Sequence, residues 1–112
     1  MITQDNLDAA RHRLITASNS LAVVLKHPDM FLLLDHHLTL FESLRRNIVS
    51  TLAGDESSSL TACSRMERLV LMSWSGSDVI AIALRGIHHP DTVRVLDEIR
   101  EELLVNQTLY GS

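Results

Sequence analysis

Six histidines stand in this 112-residue chain: His12, His27, His36, His37, His88 and His89. Imidazole carries protons near neutral pH and is a common metal ligand, so the spacing decides what these residues could do. "HPD" occurs at His27–Asp29 and again at His89–Asp91, each time with Leu-Asp following five residues after the aspartate. There is no His-x-x-x-His and no Glu-x-x-His, so neither ligand pair that one helix offers a metal is present. His36 and His37 are adjacent and point to different faces of a helix. One composite metal or small-ligand site remains open: His27, His88 and His89, if the two His-Pro-Asp turns meet at one end of a bundle. The plainer account makes these three turn residues, shaped by the prolines beside them.

Other reactive types are less organised. Cys63 has Arg65 and Arg68 nearby, and cations stabilise a thiolate, but there is no Cys-x-x-Cys and Cys63 falls on an apolar stripe. A buried small hydrophobe is the expectation. Ser73, Ser75 and Ser77 do not make Gly-x-Ser-x-Gly. The four glycines are scattered, so no phosphate-cradling loop exists. Phosphotransfer bundles place their histidine beside a lysine and a small residue, and in "DHHLTLFESL" neither stands near His36 or His37. Helical nucleases of the HEPN type resemble the chain in size. They need an arginine and a histidine on one helix, whereas Arg85 and His89 straddle the break at Gly86 and Pro90. No catalytic residue, cofactor or enzymatic activity is expected.

The elements that must position these residues are helical. Leu7, Ala10, Leu14, Ala17, Leu21 and Val24 alternate spacings of three and four, one stripe of a helix over about 5–26, capped by Thr3 or Asp5. Pro28 disfavours helix at His27 but suits a helix's first turn, with Asp29 complementing the dipole. The stripe Phe31, Leu34, Leu38, Phe41, Leu44 or Arg45, Ile48 and Leu52 predicts a second helix over about 29–53. "GDESSS" breaks the chain. Cys63, Met66, Val70, Trp74, Ile80 and Leu84 give a third helix over about 59–86, with a kink or restart within 73–78 where Gly76 is unfavourable. Val93, Leu96, Ile99 and Leu103 give a fourth over about 90–106, leaving "QTLYGS" as a frayed tail. The repeated phrase then reads as punctuation between helices, used twice. The expected fold is a single all-α domain over 1–112: a four-helix bundle, five-helix if the third breaks, built as two helical hairpins with pseudo-twofold similarity.

Composition agrees. Apolar residues make up 46% and aromatics 4%, so aliphatic side chains must fill the core. One cysteine excludes an internal disulfide. No signal peptide or span of about 20 apolar residues is visible, and a cytoplasmic protein is expected. Net charge is −4, with the acid excess in "DEIREE" at 97–102. Nucleic acid is thereby disfavoured as a partner, and the arginine pairs read as solvated helix faces.

The strongest functional hint is apolar excess. "MFLLL" at 30–34, "LVLM" at 69–72 and "VIAIAL" at 79–84 are apolar on every face, more than one buried stripe requires. A partner could cover the surplus, most simply a second copy with twofold symmetry. The leading expectation is a small non-enzymatic protein-interaction module (an adaptor, regulator or chaperone-like accessory protein), acting as a homodimer or with another protein. Its contact surface would use Phe31, Leu32, Leu33, Trp74, Val79 and Ile82. The histidine site at 27, 88 and 89 is the rival.

Overall fold

A computed structural model describes residues 2–110, with side chains through residue 108. It is an all-α four-helix bundle: α1 (Gln4–Lys26), α2 (Asp35–Glu56), α3 (Ala62–Leu84) and α4 (Pro90–Tyr110). Helix α1 packs on α2 and α4, and α3 packs on the same two. The α1 and α3 helices also touch across the centre, while α2 and α4 stay apart. The bundle measures 43 × 25 × 18 Å. No helix among the described residues is long and apolar enough to cross a membrane.

Local chemistry sets the ends of these helices. The Thr3 hydroxyl accepts the Asn6 N–H at 3.1 Å and starts α1. Thr61 does the same for Ser64 at 3.2 Å and starts α3 at Ala62, later in the chain than the expected start near residue 59. The α1 stripe expected from the sequence is buried residue for residue: Leu7, Ala10, Leu14, Ala17, Leu21 and Val24 face the core. Opposite them lie Phe41, Leu44 and Ile48 of α2, Met66, Leu69 and Ile80 of α3, and Leu96, Ile99 and Leu103 of α4.

The start of α2 departs from the sequence expectation. Pro28 opens a helix-like turn, but it lasts one turn only. The Leu33 N–H reaches back to the Pro28 carbonyl at 3.0 Å and the Leu32 N–H to the Asp29 carbonyl at 3.3 Å. That is the helix-ending bond pair of a Schellman motif, whose left-handed position usually holds glycine. Here it holds Leu32, with φ 52°. The chain runs extended through Leu34 and restarts at Asp35. Leu34 is therefore exposed rather than part of the buried stripe. The two His-Pro-Asp phrases are consequently used differently: the first builds an irregular turn, whereas Pro90 opens α4 directly.

Helix α3 is unbroken through 73–78. Gly76 is buried there, and a Cβ on it would lie 2.9 Å from Leu103 Cδ1 and 3.4 Å from Leu44 Cδ1. Its lack of a side chain lets α4 and α2 approach, and that packing outweighs its poor helix propensity of about 1 kcal/mol. Ser73 and Ser77 return their hydroxyls to the Leu69 and Trp74 carbonyls, so neither disturbs the core. Helix α4 extends past 106, because Asn106 is buried and anchors it: its side-chain amide donates to the Ala10 carbonyl at 3.1 Å and to Ser73 Oγ at 2.9 Å. Gln107–Tyr110 are thus helical rather than a frayed tail, and residues 111–112 lie outside the described residues.

Candidate interaction site

The two ends of the bundle have different chemistry. At one end, Asp55 closes the end of α2 onto α1 and α3. Its carboxylate takes a forked pair of bonds from Arg65, both 2.9 Å, and a third from Arg11 at 2.7 Å. The Arg65 guanidinium, joined by Arg11, holds the Asp55 carboxyl below the usual carboxylate range although burial pushes the other way. Asp55 in turn raises Arg65. These two arginines are structural, not the solvated residues that charge counting suggests. Arg13 likewise pairs with Glu102 at 3.3 Å.

At the other end the two His-Pro-Asp turns do meet. Buried Thr92 of α4 donates its hydroxyl to the Phe31 carbonyl at 2.7 Å. That hydroxyl proton is then spent, so the contact of 3.0 Å between Thr92 Oγ1 and His89 Nδ1 makes the histidine the donor. His37 Nδ1 accepts the Leu34 N–H at 3.4 Å and helps start α2. Burial, then the neighbouring His36, lowers the pKa of His37. His27 and His88 are exposed and His89 is half-buried. Among the described residues, no three His, Cys, Asp or Glu side chains gather into a set that could hold a metal. The meeting of the turns is thus made by a threonine and a backbone carbonyl.

The residues expected to form a contact surface divide. Leu32 is 64% exposed, Trp74 51% and Ile82 60%. Phe31 is only 5% exposed, because its turn folds inward onto α4, so it anchors its own chain and is not available to a partner. Leu33 and Val79 are half-buried and pack against the core. No protein-family model matches the chain, and no curated protein or solved structure does either.

On the surface itself, two apolar features stand out. One is the first turn, where Met30, Leu32 and Leu34 all project from a short segment. The other is the outward side of α3, where Leu71, Trp74 and Ile82 follow at helical spacing, with Asp78 between them. Beside this stripe runs a trough of about 550 Å³ between α2 and α3, lined by Asn47, Ser50 and Gly54 on one side and Arg68, Leu71 and Ser75 on the other. The small side chains of α2 leave it unfilled. Sequence reading finds Trp74 and Ile82 but not Leu71, although the helical wheel through 71, 74, 78 and 82 is offset from the buried one through 66, 69, 73, 77 and 80. It also expects Cys63 to be buried, whereas Cys63 is exposed. The buried face of α3 begins with Met66, and Trp74 lies outside it.

Proposed function

We propose that this chain is a small, non-enzymatic, cytoplasmic protein-interaction module of the adaptor, regulator or chaperone-like accessory kind, working in self-association or with another protein. One observation carries the reading: Leu71, Trp74 and Ile82 lie exposed on one helix whose other side is fully engaged in the core. Single exposed apolar residues need no explanation, but an aligned set with a tryptophan is the composition of a binding surface. The apolar first turn adds to it. Leu32 keeps a large exposed side chain at a backbone position where glycine would be unstrained, a cost of about 1–2 kcal/mol. Strain retained at an exposed site is what a contact residue produces.

Native mass spectrometry of the protein purified without chelator tests this. The expected result is an assembly, either of copies or with a second chain. The paired substitution Leu71→Asp and Trp74→Asp should convert it to a folded monomer with unchanged helical content. A bare wild-type monomer would sink the reading, and a monomer carrying stoichiometric zinc would turn attention to the histidines instead.

A further inference from the structure

We infer that the partner on α3 is a second copy of this chain, lying with its own α3 antiparallel about a twofold axis level with Gly76. This rests on the interaction reading above and names its occupant. The outward stripe of α3, continued into the turn after it, reads Glu67, Leu71, Trp74, Asp78, Ile82, Arg85, at spacings of four, three, four, four and three, and all six are exposed. No ion pair or side-chain hydrogen bond joins Glu67, Asp78 or Arg85 to any other described residue. The stripe is acidic at its first end, basic at its last and mainly apolar between.

Such a stripe is complementary to its own reverse. Antiparallel pairing sets Glu67 opposite Arg85 of the second copy, Leu71 opposite Ile82, and Trp74 opposite Asp78. Both ends gain an ion pair, the centre gains apolar contact, and the inner carboxylate meets the indole N–H, a donor with no hydrogen-bond partner among the described residues. A parallel arrangement would oppose Glu67 to Glu67, Asp78 to Asp78 and Arg85 to Arg85, three like-charge contacts. Charge thus selects the antiparallel register. The two ends lie about 27 Å apart at 1.5 Å per residue, beyond the screening length of about 8 Å at physiological salt, so each ion pair acts independently. Both contacts between the copies are then identical by symmetry. The trough between α2 and α3 opens alongside and leaves room for side chains of the second copy.

Charge exchange in the full-length chain tests the register, read by sedimentation equilibrium and by the emission of Trp74, the only tryptophan. Glu67→Arg alone opposes two arginines across each end of the interface, and Arg85→Glu alone opposes two glutamates. Each should raise the dimer dissociation constant about tenfold or more. An equimolar mixture of the two variants should form a heterodimer of wild-type affinity with a blue-shifted tryptophan. One chain carrying both changes should dimerise as wild type does. Both substituted positions are on the surface, and circular dichroism checks that each variant is folded. A wild-type dimer indifferent to both reversals would overturn this register while leaving self-association standing. Assembly with a different chain would overturn the second copy as occupant but not the interaction reading. A bare wild-type monomer would overturn both.

Discussion

At the scale of single residues, His37 is the group whose environment makes a solution prediction. It is buried, its Nδ1 is occupied as an acceptor for the Leu34 N–H, and its neighbour His36 opposes a second charge. Protonation would remove the acceptor and place a cation at the positive end of the α2 dipole. The folded chain therefore binds this proton less readily than the unfolded chain, where the imidazole has its ordinary pKa near 6.5. Between the lowered folded value and 6.5 the unfolded state holds more protons. The contribution to stability is complete above about pH 6.5 and is lost as the pH falls toward the folded value. Asp55 does not confuse this window. Its carboxyl is depressed below the ordinary carboxylate range, so its contribution fades only at more acidic pH. Urea midpoints should fall between about pH 7 and about pH 5.5 for the wild type, and clearly less for His37→Gln, whose side-chain carbonyl can still accept the Leu34 N–H. Equal falls in the two proteins would reject His37 as the source.

At the scale of the helix, Gly76 tests why α3 does not break. A side chain there must displace Leu103, which is fully buried, and press on Leu44. Gly76→Val should cost on the order of 2–3 kcal/mol through overpacking, against a gain of a few tenths at most from helix propensity. Calorimetry showing no loss would mean that α3 and α4 are not in close approach. The same position explains what can be read from the sequence. The α1 stripe is legible in full because its apolar residues have one role each. Gly76 looks like a break because the residues that need it, Leu44 and Leu103, are far away along the chain. The end of the first turn is hidden because the signal for a left-handed cap is glycine, and Leu32 gives none. Of the exposed apolar residues, Trp74, Ile82 and Leu32 are visible as excess apolar residues. Phe31, which is buried, and Val79, which is half-buried, look the same in the sequence. An unbroken apolar run does not say which member turns inward.

At the scale of the whole molecule, the question is whether the chain needs a partner to fold or only to act. The buried stripes of the four helices fill one another within a single copy, and the long-range bonds (Asp55 with Arg11 and Arg65, Asn106 with Ala10 and Ser73, Thr92 with Phe31) close both ends internally. Nothing in that core is completed by the outward face of α3. On the proposed reading, association through Leu71, Trp74 and Ile82 would be added to a core that one copy closes by itself, unlike an obligate dimer that has no folded monomer. A definite dependence of melting on concentration follows. Below the dissociation constant the protein melts as a monomer and the midpoint does not change on dilution. Above it, each tenfold rise in concentration stabilises each chain by about 0.7 kcal/mol, half of RT ln 10, which is about 3 °C for a chain of this size. Leu71→Asp should give the flat line at every concentration while keeping the dilute wild-type midpoint. If that variant instead melts well below the dilute wild type, Leu71 is supporting the monomer's own core, and the separation between a self-sufficient bundle and an added contact face does not hold.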